Sequence, residues 1–132
     1  MTTPSTPPTP PTARDVRVWI GARDFEMSLR FYDALGWTIA WTDGEGLAHL
    51  ELAGHRFVLQ DYYAKQWCEN SMVTVDVDDA SAWFEHVSGV LSAGTFGSAR
   101  VSEPRREDYG AIVTYVWDPS GVLLHLTEWP DA

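Results

Sequence analysis

The chain writes one pattern twice, and that repeat limits its fold more than any single motif does. A strand-like run from Val16 to Ile20 leads to Asp24 and an amphipathic stretch, Phe25-Glu26-Met27-Ser28-Leu29-Arg30-Phe31-Tyr32, stopped at Leu35-Gly36. Fifty-four positions after Asp24, Asp78-Asp79-Ala80-Ser81-Ala82-Trp83-Phe84 opens a second such stretch behind the strand-like Met72 to Val77. Each half closes on a hairpin, Leu47 to Asp61 in the first and Ala111 to Trp129 in the second. Two βαβββ units predict an α+β domain with a U-shaped mixed sheet around a shared cleft. The expected division is a Pro/Thr-rich arm over 1–13 and one domain over 14–132, with modules at about 15–66 and 70–129.

Period-two and helical patterns assign faces. Val16, Val18 and Ile20 alternate with Arg17, Trp19 and Gly21, as do Trp37, Ile39 and Trp41 with Thr38, Ala40 and Thr42. Asp24 is an expected N-cap and Gly36 an expected left-handed stop. If Leu52 pairs with His55 across Ala53-Gly54, then Glu51 faces Arg56, His49 faces Val58 and Leu47 faces Gln60. That mixed face is expected to line the cleft, while Leu50, Phe57 and Leu59 receive the helix. In the second half Ala80, Trp83, Phe84, Val87 and Leu91 form an apolar stripe, and Asp118-Pro119-Ser120-Gly121 is a turn.

At 132 residues the chain suits one core. Its net charge of −10 argues against nucleic acid and favours a cationic ligand over an anionic one. No apolar run reaches a membrane-spanning length, and residues 1–12 lack the apolar segment of a signal peptide, so a cytoplasmic location is expected. The single Cys68 excludes an intramolecular disulfide and a cysteine-based zinc cluster, and it reads as a buried thiol. The proline arm is expected to be disordered or draped over a partner.

Strand, Asp24, Ser28, Phe31-Tyr32, Leu35-Gly36 and the later Asp118-Pro119-Ser120-Gly121 together resemble the vicinal oxygen chelate superfamily. That group includes glyoxalase I, extradiol dioxygenases, fosfomycin-resistance transferases and bleomycin-resistance proteins, and the resemblance covers Val16 to Glu128. It implies paired βαβββ modules and a homodimer with two clefts. Catalytic members hold a divalent metal at four matched strand positions. Counting seven back from Asp24 and Asp78 puts Arg17 and Ser71 there; counting four past Gly54 and Gly121 puts Val58 and His125. Only His125 is an ordinary ligand, so no metal or other cofactor is expected. A displaced site of His49, Gln60 and His125 is the alternative, serving a lyase, isomerase or dioxygenase.

No Ser-His-Asp order, phosphate loop or close carboxylate pair stands out. Trp37, Phe57, Trp83 and Phe84 fit core periodicity, and His55 and His86 read as surface residues. Trp19, Trp41, Tyr62, Trp67, Tyr109 and Trp117 are less well explained by helix–sheet packing; with Arg17, His49, Gln60, Asp61 and His125 they form the candidate ligand site. Flat rings with nearby carboxylates suit a planar or cationic natural product. The leading expectation is a non-catalytic small-molecule binder of bleomycin-resistance type, closest in character to those binding proteins. An enzyme with a shifted metal site and a protein-interaction domain are the other two.

Overall fold

The computed structural model describes residues 7–130. In chain order the elements are β1 (Trp19–Gly21), α1 (Phe25–Leu35), β2 (Thr38–Thr42), β3 (Leu47–Leu52), β4 (His55–Gln60), α2 (Lys65–Asn70), β5 (Met72–Asp76), α3 (Ala80–Ala93), β6 (Arg100–Val101), β7 (Arg105–Arg106), β8 (Ile112–Trp117) and β9 (Leu123–Glu128). Asp24 caps α1 as expected, its carboxylate accepting the Met27 N–H at 3.1 Å, and Gly36 stops it at a φ of 117°. The second cap is Asp79, which accepts the Ala82 N–H at 3.0 Å, and not Asp78. The repeat is therefore one residue longer than the sequence pattern gives, because either neighbouring aspartate satisfies the pattern while only one sits at the helix end.

The strands form two mixed sheets, four strands in the order β1-β4-β3-β2 and five in the order β5-β9-β8-β6 with β7 also on β8. In each, the first strand of the module runs parallel to the last. The expected hairpin register is the one observed, with Leu52 opposite His55, Glu51 opposite Arg56, His49 opposite Val58 and Leu47 opposite Gln60. Ala53 (φ 52°) and Gly54 (φ 81°) form the two-residue left-handed turn that sets it.

Three strand expectations change. The first strand begins at Trp19, and residues 7–18 have no regular structure and are exposed. The part of the arm over residues 1–6 lies outside the described residues. A bulge at Ala40 separates Ile39, opposite Leu50, from Trp41, opposite His49. One extra residue reverses side-chain parity, so Trp41 faces away from the side that Ile39 shares with Leu50. The stretch Glu103 to Gly110, which by its charges reads as a loop, contains β7, which follows β6 along the same edge of β8.

α1 packs against α3 and the first sheet, and α3 packs on the second sheet across β6, β8 and β9. Phe31, Tyr32, Trp37 and Phe57 interlock edge to face, with centroids 4.8–5.9 Å apart, and full burial of such a side chain contributes roughly 1.5–3 kcal/mol. Trp83 packs on this core only partly buried, and Phe84 is half-buried outside it, correcting the expectation that both are core. Three bonds join the modules on this helix side. Tyr32 OH donates to Asp118 Oδ2 at 2.8 Å, and the Arg23 N–H donates to Ser120 Oγ at 2.8 Å. His86, expected to be a plain surface residue, sets Nε2 3.1 Å from the carbonyls of Ala34 and Leu35, two of the carbonyls left unpaired where α1 ends. No helix among the described residues is long and apolar enough to cross a membrane.

Candidate functional site

Each sheet has one face packed on the helices and one turned outward, and the register decides which side chains the outward faces carry. On module one a row crosses all four strands: Trp19 beside Val58, Val58 opposite His49, His49 opposite Trp41. Trp19 remains 48% exposed and Trp41 47%, while Val58 between Trp19 and His49 is buried. The Trp41 and His49 rings lie 5.1 Å apart. The bulge creates this arrangement, because an unbroken ladder would place Trp41 opposite Ala48 on the core side.

Module two repeats the row with different chemistry. Thr74 lies beside His125, and His125 opposite Tyr115, with ring centroids 5.0 Å apart. The next row is Met72, Leu123 and Trp117; His125 Nε2 reaches Met72 Sδ at 3.4 Å, and the Arg100 guanidinium lies 3.7 Å over the Trp117 ring. Tyr115 OH donates to Glu107 Oε1 at 3.1 Å. Partial burial, reinforced by Glu107, pushes this phenol up to about 12, so at neutral pH it is a donor and not a base.

The predicted site residues divide between these faces and the loops beside them. Trp19, Trp41, His49 and Gln60 lie on module one, and Trp117 and His125 on module two. Arg17 precedes β1 and pairs with Asp15 at 2.9 Å; Trp19, not Arg17, stands beside Val58. Asp61 and Tyr62 follow β4, exposed, and the Asp61 N–H donates to the Gly46 carbonyl at 2.8 Å. Trp67 lies on a short helix, not in an open loop, against Gly21: a Cβ there would come within 2.9 Å of its ring and 2.5 Å of the Tyr62 carbonyl oxygen. Tyr109 stands 5.8 Å from Trp129, whose indole N–H donates to Asp76 Oδ1 at 2.9 Å. Cys68 is fully buried, and burial raises its thiol above the ordinary value.

Sequence reasoning missed Met72, Thr74, Tyr115 and Arg100. The alternation of Met72, Thr74 and Asp76 with Val73 and Val75 was the available signal, obscured by the one-residue error in the helix cap.

The metal positions that the resemblance implies can be tested on donor chemistry. Trp19 and Val58 in module one and Thr74 and His125 in module two are the pairs the register brings side by side. Indole and valine supply no lone pair for a divalent ion, and one imidazole with a threonine hydroxyl is a weak set. These residues do not fit the metal. Among the described residues no group of three His, Cys, Asp or Glu side chains is placed to hold one. A cavity of about 470 Å³ lies at the seam where Val18, Leu52, Phe57, Val73 and Val75 approach each other, and it reaches Thr74 at the end of module two's row.

The sequence matches no protein-family model and no curated protein. Solved structures do match. A bleomycin resistance determinant encoded on the transposon Tn5 superposes with a TM-score of 0.73 at 20% identity, covering 90% of this chain and 100% of that one. A bleomycin-binding protein complexed with bleomycin gives 0.71 at 20% identity, over 89% and 100%. Lactoylglutathione lyase from Agrobacterium tumefaciens gives 0.62 at 17% identity, over 89% and 95%. The chain has the fold of these glyoxalase and bleomycin-resistance structures.

Proposed function

We propose that this chain, built on the glyoxalase/bleomycin-resistance fold, is a non-catalytic cytoplasmic protein that sequesters a bulky aromatic natural product. The observation that carries this is the row Trp19–Val58–His49–Trp41. It offers two half-exposed indoles on an uncovered sheet face, with a valine where a metal-binding site needs a donor. Each indole has about half its surface left to bury, worth roughly 2 kcal/mol per ring against a flat ligand. The bleomycin-binding neighbours support the ligand class, and the net charge of −10 supports a cationic one.

The working unit is a homodimer. In one chain both outward faces stand open, and a second copy closes module one's face against module two's. β1 and β5 are sheet edges, and next to them Val16 (82% exposed) and Val18 (60%) leave apolar surface uncovered beside the 470 Å³ seam cavity. The N-terminal arm braces the pair by lying across the partner there.

A lyase, isomerase or dioxygenase using His49, Gln60 and His125 draws no support from the donor set. The deciding experiment is titration of intrinsic Trp fluorescence with a panel of planar, basic antibiotics. Saturable quenching or enhancement by at least one compound is expected; a spectrum unchanged across the panel overturns the proposal.

A further inference from the structure

Where β8 turns into β9, the Asp118–Gly121 turn is bordered by two depressions of about 350 and 340 Å³. Glu69, Ser98 and Gly121 line both, so the two form one groove. Arg23 and Lys65 line the first depression and Arg100 the second. The ion pairs among the described residues are Arg17–Asp15, Arg56–Glu51 and Arg105–Glu107. None of the groove's three cations belongs to them. In a chain with 19 acidic residues and 9 basic ones, three cations in one groove without a carboxylate partner among the described residues run against the overall charge.

Their geometry is that of held donors. Arg23 lies with its guanidinium carbon 5.5 Å over the Tyr63 ring, and Arg100 3.7 Å over Trp117. A ring occupies the flat face of a guanidinium and leaves the N–H edge to take an acceptor. The Arg23 backbone is fixed by its N–H donating to Ser120 Oγ at 2.8 Å. Asp118 directs its carboxylate inward, to Tyr32 OH and to the N–H groups of Ser120 and Val122. Glu69 is then the one carboxylate that the groove presents to solvent.

We propose that this groove binds a small dianion of the phosphate monoester class. Arg23, Lys65 and the Ser98 hydroxyl share one depression, which suits a single head group with two charges and several acceptor oxygens. Arg100 adds a third donor from the adjoining depression, and Glu69 opposes binding. This site lies at the turn end of the molecule, away from the row at Trp19 and Trp41, and touches module two's outward face only through Trp117 and Arg100.

The test is titration of the full chain with inorganic phosphate and, separately, with succinate, following backbone amide NMR shifts at fixed ionic strength. Saturable shifts at Ser98, Ser120 and Gly121 with phosphate are expected. Arg23→Met and Arg100→Met should each weaken binding by about tenfold or more, while Glu69→Gln tightens it. Opposite effects from exposed residues are not produced by loss of structure, and the melting transition of each variant checks the fold. Absence of saturation, a response to succinate with none to phosphate, or variants that bind like the parent each overturn the proposal.

Discussion

Tyr32 and Asp118 stand 86 residues apart in the chain and meet in a buried hydrogen bond, the phenol donating to Asp118 Oδ2 at 2.8 Å. Oδ1 of the same carboxylate accepts the N–H groups of Ser120 and Val122. Burial nevertheless dominates and pushes the carboxyl up to about 6 from 3.8. The folded chain thus holds this proton more tightly than the unfolded one. Its stabilising contribution is complete below about pH 4 and is lost as pH rises through about 6. A difference of about two pH units corresponds to roughly 3 kcal/mol. Asp118→Asn should therefore flatten the change in stability between about pH 4 and 7, measured by urea unfolding across that window.

Gly21→Ala should destabilise the protein by about 1–3 kcal/mol. The added methyl would meet the Tyr62 carbonyl oxygen at 2.5 Å, Trp67 at 2.9 Å and Cys68 Sγ at 3.0 Å. The first of these is backbone and cannot swing aside. A thermal melt compares the two proteins; an unchanged transition would show that α2 shifts freely away from β1.

Trp41→Ala and Trp19→Ala should leave the fold nearly intact while weakening the proposed ligand by about tenfold or more. Both rings are about half exposed on the outward face, so truncation removes little packed core. The readouts are the melting temperature together with ligand affinity. Affinity unchanged in both variants would place the ligand elsewhere.

Deleting residues 1–13 should weaken self-association and leave each chain folded. The described part of that segment, residues 7–13, is exposed and without regular structure. Sedimentation velocity over a range of concentrations gives the result. Equal dimer stability with and without the segment would remove its bracing role.

Purified protein should take up no stoichiometric zinc, nickel, manganese or iron, and His125→Ala should not alter metal content. His125 is the one imidazole at the matched positions, with Thr74 beside it and Tyr115 across from it. Elemental analysis before and after chelation and reloading decides this. A metal restored in one-to-one ratio would move attention to His49, Gln60 and His125.

The repeat, the first helix with its two caps and the first hairpin's register were all legible in the sequence, because each depends on local chemistry. Ala53-Gly54 leaves one tight way to pair Leu52 with His55, and the alternation then fixes which side His49 takes. The bulge was not legible: Thr38 to Thr42 alternates cleanly, and only pairing with β3 shows that Ala40 is the extra residue. Nor could His86 be read as closing the end of α1, since its partners Ala34 and Leu35 lie about fifty residues away. The site suffered most from the choice between Asp78 and Asp79. One residue of offset moves a strand's side chains to its other face, exchanging Ser71 and Val73 for Met72 and Thr74.

The bonds that join the modules, Tyr32 to Asp118, Arg23 to Ser120 and His86 to the end of α1, lie on the helix side. The rows at Trp19 and His125 look the other way. Substitutions on the rows are therefore uncoupled from the latch that keeps the halves together. This separation lets a few outward side chains be rewritten, and with them the proposed ligand, while the latch stays intact. It also makes the scaffold a practical starting point for selecting binders to new planar molecules.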